Sequence, residues 1–279
     1  MRAFIIFLTL LMLVTNVDLH VEAKKNKEAQ QPIQILPWKE VNSLLPKYSK
    51  FTVEDFETGM KFKVQRRAGS QHADVQPLTV KDTKIMKEIY NGKWSWKRRA
   101  IIVHQDGRKL AASMHGMPHG AGALKNNFPG HFCIHFYGST THKRNYMDLS
   151  HKLMVLKAGG KLQEYLNHAD PYEITNSFIA GFKEQDEDIL KYVSLQLRDD
   201  WDELVLEVEN VAIGNMSVLP PEDLTEELSL DIPVTIDWFL KGRGGSKYRG
   251  SVHLIRFSPY DTWKVDTNKF IEENRLTSK

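Results

Sequence analysis

Cysteine is almost missing from this chain: Cys133 is the only one in 279 residues. A lone thiol cannot close an internal disulfide, so a disulfide framework is excluded. Three roles remain: a buried small apolar group, a link to another molecule, or a working thiol. Long apolar runs are also scarce. Beyond residues 4–14 no stretch is apolar enough to cross a bilayer. The chain has no phosphate loop and no His-Glu-x-x-His, which removes the commonest signatures of nucleotide binding and zinc peptidases. It also lacks internal repeats and low-complexity tracts. Charge of one sign is not in large excess, with a formal net charge of +3.

What is present begins with residues 1–23, which read as a secretory signal. Arg2 precedes the apolar run Phe4 to Val14, and Val21-Glu22-Ala23 offers a cleavage site. Its removal leaves 37 basic against 33 acidic residues, a net charge of +4. That mild excess suits contact with an anionic cell wall and is far below the dense cationic stripe of a nucleic-acid binder. The expected place is therefore secreted or cell-envelope, outside the cytoplasmic membrane. Membrane contact is expected only through an uncleaved signal, and nucleic acid is not expected as a partner. Nothing in the sequence speaks to oligomeric state.

Residues 24–37 are expected to form a flexible linker, because Lys24 to Gln31 is polar and charged without an apolar period. Folded structure is expected from near Ile35 to Trp38. Phe51 to Phe56 and Met60 to Gln65 both alternate around Glu57-Thr58-Gly59, which predicts a hairpin. Thr79 to Tyr90 predicts a helix capped by Thr79, and Asp106-Gly107 predicts a tight turn between strands Arg99 to His104 and Lys109 to Met114. Apolar residues Leu190, Val193, Leu197, Trp201, Leu204 and Val208 predict one amphipathic helix over 186–210, or a helix passing into a strand. Strands are predicted at Leu230 to Leu240, Tyr248 to Phe257 and Tyr260 to Val265. The fold class expected is α+β: a β-rich catalytic-type domain over 38–158, then a smaller α+β domain with an antiparallel sheet over 159–279.

Seven of the eleven histidines lie between His104 and His151. At their centre is Gly130-His131-Phe132-Cys133-Ile134-His135-Phe136. If this run is extended, His131, Cys133 and His135 share one face and Phe132, Ile134 and Phe136 the other. Attack on an amide needs a thiolate, a base working near neutral pH and donors for the developing oxyanion. Cys133 with His131 or His135 meets the first two needs, and backbone amides around Gly120 to Gly122 or at Gly130 would meet the third. His119, flanked by glycine, is a second candidate beside the thiol. His72 and Asp74 would orient one of the imidazoles. Ser139 and His142 would meet a substrate carboxylate or form a polar turn, and Trp94 and Trp96 with Lys97 to Arg99 would line a sugar-facing groove or pack in the core.

Met114-His115-Gly116, followed by Cys133 eighteen positions after His115, resembles the active-site signature of L,D-transpeptidases. That family carries an upstream His-Gly, then Ser-His-Gly-Cys, an aliphatic residue and Arg or Asn. The resemblance implies an exported enzyme, transpeptidase or hydrolase, acting on peptidoglycan peptides through a cysteine acyl-enzyme without a cofactor. It implies Cys133 as nucleophile, His131 as base and His115 near the substrate carbonyl, with His119, Gly120, His135, Ser139 and His142 around substrate or oxyanion. Gly130, Phe132 and His135 depart from the family pattern. The C-terminal order of helix then sheet weakly resembles the cone-shaped modules of the nuclear-transport-factor-2-like class.

Two other classes stand beside this reading. His119, His131, Cys133 and His135 are zinc-ligand types, which would make an exported zinc amidase or peptidase. On a strand His131 and His135 are separated by about 13 Å of chain, which weighs against both holding one ion. A non-catalytic wall-binding protein is the third reading.

Overall fold

A computed structural model describes residues 31–141, 146–217, 224 and 226–276. The signal reading of residues 1–23, the linker up to residue 30 and His142 fall outside the described residues. Residues Ile33–Lys279 form one compact unit of mixed α+β structure. Ordered structure starts slightly earlier than expected, at strand β1 (Ile33–Gln34).

The hairpin forms as predicted from β2 (Lys50–Asp55) and β3 (Lys61–Ala68), with Phe51 opposite Val64 and Val53 opposite Phe62. Strand β4 (Ala73–Pro77) continues antiparallel along β3. Strands β5 (Arg98–Gln105) and β6 (Arg108–His115) are joined by Asp106-Gly107, both at positive φ, the geometry whose twist matches a hairpin. The short β7 (Phe132–His135) pairs with β4 on one side and β6 on the other. It closes a six-stranded antiparallel barrel in the order β6-β5-β2-β3-β4-β7, with β1 parallel on the outside of β6.

Period-two alternation fills the barrel. Phe51, Val53, Phe62, Val64, Ala73, Val75, Ile101, Val103, Leu110, Ala112, Met114, Phe132, Ile134 and Phe136 all enter one apolar cluster. Helix α1 (Trp38–Leu44) adds Trp38 and Val41 to it, and helix α2 (Val80–Ile89) adds Met86 and Ile89. Thr79 and Asp82 form a reciprocal capping box at the start of α2, satisfying backbone donors that the first turn leaves open. The alternate positions of the same strands, among them Asp74, Ser113, Cys133 and His135, are thereby turned to the outer wall of the barrel.

Helix α3 (Leu149–Ala158) lies over β5 and β6, where Ala100 and Ala111 leave room for it. Its apolar side chains join a second cluster with α4 (Leu162–Asn167), α5 (Pro171–Glu184), α6 (Glu187–Val193), α7 (Trp201–Glu207) and a four-stranded sheet. That sheet runs β11-β10-β9-β8, from β8 (Val208–Met216), β9 (Ser229–Leu240), β10 (Gly244–Ile255) and β11 (Lys264–Val265). Helix α8 (Thr267–Asn274) packs Phe270 and Ile271 into the same cluster.

Two predicted elements need correction. The stretch 186–210 is not one helix: α6 stops at Val193 and α7 starts at Trp201, while the alternative of a helix passing into a strand holds for α7, which runs directly into β8. Ser194 bridges Val265 and the Leu195 amide donates to the Val265 carbonyl at 2.9 Å, so strand pairing displaces the helical bond, and Leu197 is left 95% exposed. The strand predicted from Tyr260 shrinks to Lys264–Val265. In the preceding loop the Pro259 carbonyl accepts from the Arg256 guanidinium, which also donates to the carbonyls of Glu227 and Leu224 ahead of β9, and Tyr260 stands free of the core.

Candidate functional site: a histidine cluster around Cys133

The site sits where β7 closes the barrel. In this register Asp74 of β4 lies directly opposite Cys133, and Ser113 of β6 opposite His135. Directly paired residues share a face of the sheet, so the four side chains meet on the outer wall. His72 enters from the approach to β4, His151 from α3, His115 from the end of β6, and His119 and His131 from the loop between β6 and β7.

That loop is shaped by its glycines. His119 and His131 pair as an isolated antiparallel bridge, with both amide-to-carbonyl bonds at 2.9 Å. Gly120 has φ +60, and a Cβ on it would come within 2.4 Å of the His131 ring. Gly130 has φ +129, and a Cβ on it would lie 2.5 Å from the His119 carbonyl oxygen. Only glycine permits both the backbone conformation and the approach of the two rings. Buried Gln76 clamps the loop from outside, donating to the Gly130 carbonyl at 2.7 Å and accepting from the Ala123 amide at 2.9 Å. The amides of Gly130 and His131 are engaged within the loop, so neither is open to an oxyanion.

Among the described residues two polar atoms lie within hydrogen-bond reach of Cys133 Sγ: Asp74 Oδ1 at 3.6 Å and His119 Nε2 at 3.4 Å. His119 Nδ1 lies 3.1 Å from the Met117 carbonyl. A carbonyl only accepts, so Nδ1 carries a proton, and when the ring holds no second proton its Nε2 lone pair faces the thiol. His115 steadies this arrangement, since its Nδ1 accepts the Met117 amide at 3.3 Å and its ring lies 5.2 Å from that of His119. His131 likewise places Nδ1 3.1 Å from the Ala121 carbonyl and turns Nε2 toward Asp74 Oδ1 at 3.9 Å. His72 sits between the Thr140 carbonyl at 2.9 Å and Asp74 Oδ1 at 3.2 Å.

Behind the thiol three imidazoles stack. His135 lies between His72, with centroids 4.4 Å apart, and His151, 3.8 Å apart. His151 Nδ1 meets the Ser113 hydroxyl at 2.9 Å. Burial pushes the Cys133 thiol well above its ordinary value, and the Asp74 carboxylate adds to the shift, so the resting group is a thiol. Burial, helped by neighbouring imidazoles, holds His115 and His151 well below the usual imidazole range.

The depressed His151 value has a measurable consequence. The unfolded chain takes up a proton near pH 6.5 where the native ring does not, so stability is expected to fall as pH drops below about 6.5 and to keep falling to the native value. One such ring contributes a slope of up to about 1.4 kcal/mol per pH unit. Urea unfolding between pH 5 and 8 should show a shallower acid slope for His151→Gln than for the parent. Equal slopes would contradict the assignment.

The sequence-derived residues thus divide. Cys133, His119, His131, Asp74, His115 and His72 form one contiguous cluster with His135. His135 is sandwiched between the rings of His72 and His151, with a ring nitrogen within 4.8 Å of the thiol. Ser139 is fully buried and its hydroxyl accepts the Phe136 amide at 3.0 Å, which makes it part of the turn after β7. Trp94 packs edge-on against Phe128, whereas Trp96 is half exposed, with its ring 4.7 Å from His115 and 5.4 Å from His119. A cleft of about 510 Å³, lined by Trp94, Trp96, Lys97, Arg98, Met117 and Glu209, opens beside this ring. Gln76 and Ser113 carried no signal in the sequence. His151 did, as the last member of the histidine run.

No protein-family model, curated protein or solved structure matches the chain.

Proposed function

We propose that this chain is an exported cell-envelope enzyme that transfers the acyl group of a peptidoglycan peptide through Cys133. The observation that carries the reading is the 3.4 Å contact between Cys133 Sγ and His119 Nε2, with His119 Nδ1 held by the Met117 carbonyl. This is the arrangement of a nucleophile, its base and a third group that orients the base. Burial keeps the thiol neutral at rest, so proton transfer to His119 accompanies attack on the acyl carbon, and the same ring returns the proton to the leaving amine. In this reading the base is His119, which the L,D-transpeptidase-like motif assigns to His131. His115 acts through Met117 to position His119. The half-exposed Trp96, whose ring neighbours that of His119, and the cleft beside it would receive the substrate, and indole rings of this kind suit the sugar and peptide surfaces of a cell wall.

The test is intact-mass analysis of residues 24–279 after incubation with a carbapenem, an acylating analogue of the peptide substrate. One adduct per chain is expected, located on Cys133 and absent from Cys133→Ser. A parent chain that stays unmodified while its thiol remains reduced would refute acyl transfer.

A further inference from the structure

Four potential ligand atoms crowd the space in front of Cys133, and their disposition matches more than a dyad. One ligand atom each of Asp74, His131 and Cys133 lie within 4.8 Å of one another, and so do those of His115, His119 and Cys133 and, on the stacked-ring side, of His72, Cys133 and His135. The thiol is common to all three groups. Zinc bonds of about 2.3 Å to sulfur and 2.0–2.2 Å to nitrogen and oxygen separate tetrahedral ligands by about 3.3–3.6 Å. The observed separations are 3.4 Å for Cys133 to His119, 3.6 Å for Cys133 to Asp74 and 3.9 Å for His131 to Asp74.

The outer shell points the same way. His119 and His131 each donate Nδ1–H to a backbone carbonyl, of Met117 and Ala121, and turn Nε2 toward Cys133 and Asp74 respectively. That is the usual support of a metal-bound imidazole, fixing both tautomer and ring plane. His72 braces the ligand carboxylate from behind at 3.2 Å. Thiolate, imidazole and a single carboxylate select a borderline-soft ion of tetrahedral habit over magnesium or calcium, which take oxygen shells.

We propose that this cluster is also a zinc site, in which Asp74, His119, His131 and Cys133 hold one ion and so withdraw the thiol from acyl transfer. Binding converts the Cys133 thiol to a metal-bound thiolate and releases one proton to solvent. No redox change or further reactant is required. One sulfur lone pair and the His119 Nε2 lone pair are then held by the ion, so the thiolate's nucleophilicity is damped and its base is no longer available. The silencing rests on the acyl-transfer reading, whereas the binding does not.

The experiment uses the chelator-treated chain 24–279, titrated with cobalt(II) as a spectroscopic stand-in and then with zinc. One equivalent of cobalt should produce a thiolate-to-metal charge-transfer band, which zinc abolishes by displacement and Cys133→Ser never shows. Asp74→Asn and His131→Ala should weaken zinc binding by more than the roughly 10–100-fold that loss of an outer-shell partner costs. Saturating zinc should raise the melting temperature of the parent and leave that of Cys133→Ser unchanged, a readout that a merely misfolded variant would not mimic. Zinc should also slow alkylation of Cys133 and acylation by carbapenem at least tenfold. Absence of the band, or variants that bind with parental affinity, would overturn the site. Acylation that rises with zinc would overturn the silencing. Failure of the metal-free chain to acylate, with the band intact, would instead remove the acyl-transfer reading and leave the metal site standing.

Discussion

Replacing His119 by Ala is expected to slow acylation of Cys133 by about 10²- to 10⁴-fold, the usual worth of a positioned general base. The thiol is buried beside a carboxylate, and both effects oppose the thiolate. Without His119 the acceptor left beside the thiol is the Asp74 carboxylate, and a carboxylate is a far weaker base than imidazole. His119 Nε2 is the imidazole nitrogen at hydrogen-bond distance from Sγ. His131→Ala, by contrast, is expected to cost less than about tenfold, since its Nε2 is directed at Asp74 and its Nδ1 at the Ala121 carbonyl. The pair of variants, compared by carbapenem acylation rate in chelator, separates the geometry from the motif. A larger loss for His131→Ala would restore the motif's assignment. A small loss for both would show that neither ring moves the proton.

The largest effect on stability is expected far from the thiol, at Arg99. Its guanidinium meets the carboxylate of Asp55 in a two-pronged contact, Nε to Oδ1 at 2.6 Å and Nη2 to Oδ2 at 2.8 Å. Asp55 ends β2 and is completely buried. Its other donors are the amide and hydroxyl of Thr58, at 3.0 and 2.8 Å. Arg99→Ala therefore strands a buried charge, and the cost of breaking such a pair is about 3–5 kcal/mol. Arg99→Lys should recover part of it, because an ammonium keeps the charge and loses the fork. Denaturant unfolding checks this through a fall in midpoint at unchanged slope. A loss below about 1 kcal/mol would place the pair with exposed ion pairs and refute its buried role. Removing both partners, as Asp55→Asn with Arg99→Met, should cost less than Arg99→Ala alone, since no charge is left unpaired.

These two sites show how unevenly the sequence speaks. Alternation in Phe51 to Phe56, Met60 to Gln65 and His131 to Phe136 carries three of the barrel strands, because a two-residue period encodes which side of a sheet is buried. Thr79 with Asp82, and Asp106-Gly107, carry a helix start and a turn, because capping and positive φ are local chemistry. The shared face of His131, Cys133 and His135 is legible for the same reason. Where local periodicity met a competing long-range bond it misled: the helical spacing through Leu197 lost to pairing of Ser194 and Leu195 with Val265.

The sequence by itself determined five of the six barrel strands, β4 (Ala73–Pro77) having gone unread, together with the lone thiol and the histidine-rich segment around it. Only the tertiary structure decided which imidazole reaches that thiol. Closure by β7 sets Asp74 opposite Cys133 across 59 residues of chain, and the Gly120 and Gly130 turns fold His119 back over the strand. Register between distant strands is fixed by burial of the whole barrel interior, a sum over many contacts that no short stretch of sequence contains.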